Sequence, residues 1–425
     1  MGYLELLVEM LRDGAQGLGE GFRAAQGRWL EAQQLPDGGF PGRNGPSDAY
    51  YTDFALRALE MVAPASPAFT RAAAWLASDR PAPRDLVGAF AELSCHRTLA
   101  AHGMSSRQLP AERDYASRAP HGMTTSGVGR TPLSYGGAAP RGDPAGVATR
   151  RARRGVQRRA SQLPCRPGRS SFTTRWRAGM EFAQQTPKRS PEGFCMEPDT
   201  CATQPRRRHF SRLRRSKRPL RTANGVGGPG TPGNPLSQAL AAHSLDSGGF
   251  SAPGSGGLSA YASFLGTLCR ELLGEPTDAA RAGAAVRALR RDDGGFAERA
   301  GEAHSQTNAT AAVVALLVMA GGPSGDEADG VARFLTGMQG DDGGLRAHAD
   351  APEGDLLSTF TGLLTLLAVT HEPPIDIPGL GRFVRAVARP GGGFGACPSD
   401  TGADVEYAYY GIATLALLRT MAGER

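Results

Sequence analysis

A Gly-Gly-Phe or Gly-Gly-Leu tripeptide returns along this chain at a nearly constant interval, and this repeat constrains the fold more than any other feature. It occurs at 38–40, 248–250, 294–296, 343–345 and 392–394. The last four copies are separated by 46, 49 and 49 residues. A period of this size is typical of a chain built from copies of one supersecondary unit, so the sequence predicts a repeat array.

Each copy of the tripeptide separates two segments with helical periodicity. In the first unit an apolar-periodic stretch ends at Leu35, the glycine pair follows, and residues 50–59 predict a second helix. Glycine adopts the positive φ that commonly ends a helix, which explains the pair without a catalytic role. The second helices of later units, over 309–320, 356–369 and 405–418, are apolar nearly all round and are expected to be buried.

The first helices carry more charge, as over 278–291 and 329–339. Each unit therefore pairs a half-exposed helix with a buried one, which describes two concentric rings. A degenerate copy without the glycine pair is expected near 86–90, one period after Gly38. It brings the array to about six units, and we predict an all-α (α/α)6 toroid that needs no β-sheet.

A basic segment without periodicity interrupts the array. Residues 97–221 contain 27 Arg and Lys against 7 Asp and Glu, a local charge of +20 in a chain whose net charge is +7. We divide the single domain into toroid repeats 1 and 2 over 1–95, an Arg-rich insertion over 96–235 and repeats 3 to 6 over 236–425. The insertion is interpreted as disordered or as a frame-shifted, spurious stretch. Nucleic-acid binding is the disfavoured third interpretation, because the segment contains no recognisable nucleic-acid-binding module.

Composition adds a prediction about the cellular compartment. No apolar run has the length of a membrane span, and the chain opens on an amphipathic segment with acidic residues instead of a secretory leader. The six cysteines are scattered. These features indicate a cytoplasmic protein with reduced thiols.

The first unit also resembles a known family. Residues 38–43 read Gly-Gly-Phe-Pro-Gly-Arg, and residues 48–54 read Asp-Ala-Tyr-Tyr-Thr-Asp-Phe. This string resembles the protein prenyltransferase β-subunit pattern Gly-Gly-x-x-Gly-Arg, then Asp-x-Cys-Tyr-x-Phe, within the prenyltransferase and squalene-cyclase repeat superfamily. The resemblance covers about 1–95 and 236–425. It implies inner helices around an aromatic cavity for an isoprenoid diphosphate, a zinc ion that activates a thiol, and a helical α-subunit as partner.

The residues that carry the family's chemistry are only partly retained. Tyr50 stands at the cysteine position and Tyr407 at the histidine position, so the thiolate-activating zinc site is expected to be absent. The Asp-x-Asp-Asp acid of the cyclases is missing as well. Any metal is expected to be Mg²⁺ bound by Asp404 and Glu406, with Asp48 as a further ligand, because carboxylate oxygens suit such an ion.

Polar residues at the starts of the second helices supply the catalytic candidates. N-capping explains most of them without any ligand. Glu406 differs, because it lies inside the first turn of a helix that is otherwise apolar and aromatic. Asp404 with Glu406 forms the best pair for a base, and Asp48 is the third catalytic candidate. The residues at helix starts are Asp48, Asn308, Asp355 and Asp404.

Two arginines and a set of aromatic residues are the substrate-binding candidates. Arg43 and Arg299 each fall five residues after the first glycine of their unit, where the family carries a basic residue for the diphosphate. A solvated loop arginine is the alternative. The aromatic residues of the second helices offer a wall for the hydrocarbon, with ordinary core packing as the alternative. They are Tyr50, Tyr51, Phe54, Tyr261, Phe264, Phe360, Tyr407, Tyr409 and Tyr410.

Three classes of function stay open on this evidence. The chain can be an enzyme that transfers or cyclises an isoprenoid diphosphate, a toroid that binds a lipid without catalysis, or a protein-interaction scaffold. The substrate set assigned to the first class is Arg43, Arg299, Tyr51, Phe54, Tyr261, Tyr407 and Tyr410.

Overall fold

A computed structural model describes most of the repeat body. The described residues are 2–80, 83, 85–104, 235–252, 256–370 and 372–423. Most of the predicted Arg-rich insertion, with the predictions of disorder, frame shift and nucleic-acid binding made for it, lies outside these ranges.

Helices make up nearly all regular structure in the described ranges. A 3₁₀ turn, Arg287–Leu289, extends α8, and the two-residue strands β1 (Phe250–Ser251) and β2 (Leu258–Ser259) pair antiparallel just before α7. The helices are α1 (Tyr3–Gln16), α2 (Glu20–Ala32), α3 (Ala49–Val62), α4 (Ala68–Ala77), α5 (Leu86–Ala101), α6 (Pro235–His243), α7 (Ala260–Leu272), α8 (Ala279–Val286), α9 (Thr307–Met319), α10 (Gly325–Gly337), α11 (Leu356–Val369), α12 (Ile377–Val387) and α13 (Val405–Gly423).

The helices form two concentric rings. The inner helices α3, α5, α7, α9, α11 and α13 pack against one another in that order, and α13 packs back on α3. Each even-numbered helix packs outside the inner helix that follows it. The described part of the chain thus holds six inner and six outer helices, which confirms the (α/α)6 toroid. The degenerate unit expected near 86–90 supplies the start of α5.

The glycine pairs fit each hairpin against the next outer helix. Gly343 has φ +89°. A Cβ on it would lie 2.3 Å from the carbonyl oxygen of Gly379 in α12, and a Cβ on Gly344 would lie 2.6 Å from the Phe383 ring. Both glycines are therefore required by close packing, and the first also by its backbone conformation.

Ring closure uses the same contact. Trp29 of α2 covers the last glycine pair, since a Cβ on either Gly392 or Gly393 would lie 2.5 Å from its side chain. The Gly393 N–H also donates to Gln26 Oε1 at 2.9 Å. Helix α2 therefore packs on the last glycine pair in the way that α4, α8, α10 and α12 each pack on the glycine pair of the unit before them.

Helix α1, which the sequence predicted as amphipathic, crosses one end of the ring. Glu271, at the end of α7, accepts hydrogen bonds from the first N–H groups of α1. The Tyr3 ring lies edge-on to Phe264 of α7, with 5.8 Å between centroids. At its other end α1 lies on α13, where a Cβ on Gly14 would be 2.3 Å from the Ala416 carbonyl oxygen. Since α7 and α13 stand on opposite sides of the ring, α1 spans its C-terminal end.

The predicted boundary between residues 95 and 96 falls inside helix α5. Helix α5 continues to Ala101, because Thr98 and Leu99 bury their side chains in the ring. In the described ranges, no helix combines the length and the apolar character needed to cross a bilayer.

Replacing residues 106–233 with a flexible Gly/Ser linker of about 20 residues is expected to move the thermal midpoint by only a few degrees. The reason is that both rings are complete in the residues on either side. Circular dichroism during heating measures this. Deletion of residues 2–16 is the matched comparison, and it should lower the midpoint strongly because Leu4, Leu7 and Leu11 are buried. Loss of the cooperative transition in the linker variant would contradict the expectation.

Candidate functional site

The first turns of the inner helices gather the predicted acids at one rim. Asp48 caps α3 and Asp404 caps α13, each carboxylate accepting a backbone N–H of its own helix at 2.7 and 2.9 Å. Burial raises the pKa of Tyr51, and the carboxylates of Glu406, Asp404 and Asp48 raise it further. The three predicted catalytic acids therefore all act on the ionisation of one tyrosine of α3.

A hydrogen bond joins two residues that face each other across the α3–α13 seam. The Tyr50 hydroxyl donates to Glu406 Oε1 at 2.7 Å, and Glu406 is only 5% exposed. Each residue lies two positions after the cap of its helix. A buried carboxylate with a phenol partner can accept a proton from a bound molecule, so the geometry gives Glu406 the character of a base.

One of the predicted caps is wrong. Asn308 is the second residue of α9, and the cap is Gln306. The helix starts at Thr307 because the N–H and hydroxyl of this residue donate to backbone carbonyls of the following unit. The Asn308 amide oxygen accepts instead from Thr361 Oγ1 at 2.7 Å, which links α9 to α11. Asp355 does cap α11.

Arg43 is held by two carboxylates. Its Nε donates to Asp404 Oδ2 at 2.8 Å, and its terminal nitrogens form a bidentate pair with Asp400. Although partial burial opposes ionisation, this guanidinium and two backbone N–H groups lower the pKa of Asp400 to about 2. Arg43 thus joins the first unit to the last, a role the sequence analysis missed together with Asp400. Its assignment to a diphosphate stays a prediction.

Arg299 lies beside the start of α7. It pairs with Ser259 through the backbone, and its buried Nε has no hydrogen-bond partner among the described residues. The neighbouring Glu298 accepts the Tyr261 N–H at 3.1 Å. A guanidinium at a helix start suits an oxyanion, and the Arg299 side chain forms no ion pair with the described residues, whereas that of Arg43 forms two.

Most of the predicted aromatic residues form one cluster on three adjacent helices. Phe54 of α3 contacts both Tyr409 and Tyr410 of α13, at centroid distances of 5.4 and 5.2 Å. Phe360 of α11 lies 5.7 Å from Tyr410, and Tyr407 lies 6.3 Å from it. These offset and edge-on contacts build a continuous aromatic wall.

Tyr261 faces this wall from the opposite side of the ring. Its side chain is 42% exposed, the one large apolar or aromatic side chain so exposed among the described residues. Burial nevertheless raises the pKa of Tyr261, and the Glu406 carboxylate of α13 raises it further. The Tyr261 side chain is therefore accessible and yet surrounded by protein, and Glu406 on the opposite inner helix shifts its pKa. Both properties are those of a side chain that faces the interior of the ring.

A charged pair that the sequence analysis did not single out lies deeper on α3. Arg57 Nη2 lies 3.1 Å from Asp53 Oδ2. The guanidinium carbon sits 4.8 Å from the Phe54 ring centroid and 4.3 Å from that of Tyr409. These are cation–π contacts, and they hold the Arg57 guanidinium against the Phe54 and Tyr409 rings of the aromatic wall.

A cleft of about 170 Å³ also lies on the outside of the ring, between α6, α7 and α8. Its arginines are already engaged, Arg270 with the Ser244 hydroxyl and Arg281 with the Asp246 carbonyl. The predicted site residues converge in the ring interior instead, and we place the site there.

The described residues do not fit the zinc ion of the family. Among them, no group of three or more His, Cys, Asp and Glu side chains is placed to hold a metal ion. Burial raises the pKa of the Cys95 thiol well above its usual range and that of Cys269 to about 12, so neither favours a thiolate. The Mg²⁺ assignment to Asp404 and Glu406 stays a prediction.

The fold and this rim define the class of protein, an α/α toroid with an aromatic interior. The model of the prenyltransferase alpha-alpha toroid domain family matches residues 16–100 and 261–425, and the chain belongs to this family. Among solved structures, the chain is similar to Candida albicans protein geranylgeranyltransferase-I complexed with GGPP, at 17% identity and a TM-score of 0.35. That match covers 40% of this chain and 51% of the other. No curated protein sequence matches the chain.

Asp400→Asn is expected to lower the free energy of unfolding at neutral pH by about 1 kcal/mol, because it removes one side of a partly exposed ion-pair network. The folded-state pKa of Asp400 lies below its unfolded value of about 3.9, so the contribution is present above pH ~4 and lost as the pH falls towards 2. Thermal midpoints of the two proteins should therefore converge over this window. The exposed Asp350→Asn is the control, and a difference that persists at pH 2 would contradict the assignment.

Proposed function

We propose that the ring interior binds an isoprenoid diphosphate and that the protein transfers or otherwise processes its prenyl group. The observation that carries this proposal is the aromatic wall of α3, α11 and α13, which faces Tyr261 across the interior and ends at the buried Glu406. Membership of the prenyltransferase toroid family supports it. The hydrocarbon would contact the assigned residues Tyr51, Phe54, Tyr261, Tyr407 and Tyr410.

The rim supplies what the diphosphate needs. The inner helices begin there, so their N-terminal N–H groups give a partial positive charge. The Arg299 side chain forms no ion pair with the described residues, whereas Arg43 would have to leave Asp400 and Asp404 to bind the same group. We therefore assign the diphosphate first to Arg299, with Arg43 as the second contact.

The proposed reaction uses the rim, which holds the diphosphate and Glu406, and the aromatic wall of the interior. Departure of the diphosphate breaks the allylic C–O bond and leaves a cation that aromatic faces stabilise. The acceptor then forms the new bond to carbon, and its proton passes to Glu406, which Tyr50 holds in place. Asp48 and Asp404 keep their helix caps, so of the three predicted acids Glu406 takes the role of base. Mg²⁺ at Asp404 and Glu406 and a helical α-subunit as partner belong to this proposal as predictions.

Calorimetry with farnesyl diphosphate and farnesol tests the binding step. Arg299→Ala should weaken binding of the diphosphate by about tenfold, the value of one charge-assisted hydrogen bond, and leave the alcohol unaffected. Arg43→Ala should have a smaller effect. Tyr410→Ala should weaken both ligands, because it removes aromatic contact area. If well-folded protein binds neither ligand, the enzyme and lipid-binding functions both fail, and an interaction scaffold becomes the better account.

Lipid binding without catalysis is the second candidate. It is favoured by the engagement of Asp48 and Asp404 as caps and by the lack of a metal-ligating group among the described residues. Tight binding of the diphosphate without any release of inorganic diphosphate would support this alternative.

A further inference from the structure

A hydrogen bond between a turn and the next outer helix recurs along the array. In three units it comes from the residue four positions before the first glycine, which is a glutamine or an arginine. The side chain of this residue donates to a backbone carbonyl at the start of the following outer helix. The pairs are Gln34 with Ala68 at 2.9 Å, Arg290 with Asp326 at 3.2 Å and Gln339 with Asp376 at 3.0 Å. In those units a long side chain therefore fills the space between the turn and the helix.

The unit that contains Gly248 lacks this long side chain. Ser244 occupies the same position, and its hydroxyl donates to the Leu240 carbonyl of α6 at 3.1 Å. The outer cleft of about 170 Å³ lies at this point, lined by Ser244, by the end of α7 and by the start of α8. Its volume is well above what one water molecule needs. The short side chain accounts for the cleft, because the three other units have a longer one in the same place.

Two arginines line the cleft, and neither is neutralised by an acid. Arg270 of α7 lies on the Phe250 ring, with 5.1 Å from the guanidinium carbon to the centroid, and donates to the Ser244 hydroxyl at 2.8 Å. Arg281 of α8 donates to the Asp246 carbonyl. Both acceptors are neutral oxygen atoms, and neither arginine forms an ion pair with another residue that the structure describes. Since a guanidinium carries five N–H donors, each arginine has donors left for a ligand.

The start of α8 adds to the positive character of the lining. Asp278 is the one acid among the described lining residues, and it caps α8 by accepting the Arg281 N–H at 2.9 Å. The N–H groups of Ala279 and Ala280 have no acceptor within the helix, and they give its N-terminus a partial positive charge. Two guanidinium groups and a helix start against one carboxylate leave the cleft electropositive.

We propose that this cleft binds an oxyanion of phosphate size, either inorganic phosphate or the phosphate group of a small monoester. A guanidinium pairs with phosphate oxygens through two parallel N–H donors, and Arg270 and Arg281 come from different helices, so each contacts different oxygens of one anion. The two arginines exclude a cation, and a hydrocarbon would bury their charges without a partner. The site lies outside the ring and does not depend on the proposed function.

Calorimetry with inorganic phosphate in a low-salt buffer tests this proposal on wild type, Ser244→Gln and Arg270→Gln. Ser244→Gln restores the long side chain that the other hairpins carry and fills the cleft, so the fold should persist and phosphate affinity should fall by tenfold or more. Arg270→Gln keeps a donor for Ser244 but removes the charge, and it should weaken binding by about tenfold. It carries the test if Ser244→Gln does not fold. Absence of phosphate binding by the wild type, or equal affinity in all three proteins, would overturn the proposal.

Two further variants show where the phosphate binds. Gln339→Ser shortens the corresponding side chain of another hairpin and leaves both arginines in place, so its phosphate affinity should equal that of the wild type. Arg299→Ala, at the rim, should likewise retain the binding that Ser244→Gln loses. If Arg299→Ala abolishes phosphate binding and Ser244→Gln does not, the anion binds at the rim and the cleft proposal is wrong.

Phenyl phosphate, titrated into the same proteins, separates the two sources of the anion. Tighter binding than that of inorganic phosphate, lost in Ser244→Gln, would identify a monoester as the ligand of the cleft. Weaker or equal binding, again lost in Ser244→Gln, would identify the free ion. Binding of phenyl phosphate that Ser244→Gln leaves unchanged would contradict an anion site in this cleft.

Discussion

Gly343→Ala is expected to lower the free energy of unfolding by about 4 kcal/mol, the largest loss we expect from the addition of a single methyl group. The left-handed backbone conformation, φ +89°, contributes about 1–2 kcal/mol of strain for any residue with a Cβ. The rest comes from overpacking, because the new Cβ would lie 2.3 Å from a backbone oxygen of α12 that cannot rotate away. Urea denaturation followed by circular dichroism measures the difference.

Gly301→Ala separates these two causes. Gly301 has nearly the same φ, +86°, but no atom lies within 4 Å of the place a Cβ would take. Its replacement should therefore cost only the strain, about 1–2 kcal/mol. Gly337→Ala, at the open end of α10, should be close to neutral. Equal losses for Gly343→Ala and Gly301→Ala would show that contact between hairpins does not depend on the glycine pair.

Glu406→Gln is expected to slow release of inorganic diphosphate from a prenyl diphosphate by about 10²–10⁴-fold, the usual contribution of a positioned base. Glutamine keeps the shape of the side chain and can still accept the Tyr50 hydroxyl, so the fold should persist. Tyr50→Phe removes only the phenol that orients the carboxylate, and its effect should be smaller. A radiometric or coupled assay of diphosphate release measures all three proteins.

Glu327→Gln is the matched control, because Glu327 is about as buried as Glu406 but lies on the outer helix α10, paired with Arg287. It should reduce stability and leave the rate unchanged. If Glu406→Gln binds the prenyl diphosphate and releases diphosphate at the wild-type rate, Glu406 is not the base. If the wild type itself releases none, lipid binding without catalysis is the better account.

The repeat body was predictable because its information is local. Glycine pairs mark the turns, and helices such as α9 and α11 are apolar on every side, so the sequence requires them to be surrounded by protein. A further local signal could have been used. The N–H after four of the five glycine pairs donates to a hydroxyl 12 to 14 residues later, as from Phe40 to Thr52 and from Phe296 to Thr310.

The candidate site was predictable only in part, because its residues are distant in sequence. Arg43 and Asp404 are 361 residues apart, and no spacing rule links them. The sequence suggested both as ligands for other groups, and the structure pairs them with each other. Tyr50 and Glu406 are likewise far apart in the chain and are brought together by the fold, and Arg57, which the sequence analysis did not single out, packs on Tyr409 of α13.

The sequence by itself determined the period, the helical hairpin, the number of units and the family, because these follow from patterns within each repeat and from their recurrence along the chain. Only the tertiary structure decided which helix follows which around the closed ring, and so which side chains of the first and last units share a rim. It also decided that α1 closes the interior, since an amphipathic helix carries no record of the surface it covers. Contacts between residues far apart in the chain depend on ring closure, and ring closure is a property of the whole array and not of any single repeat.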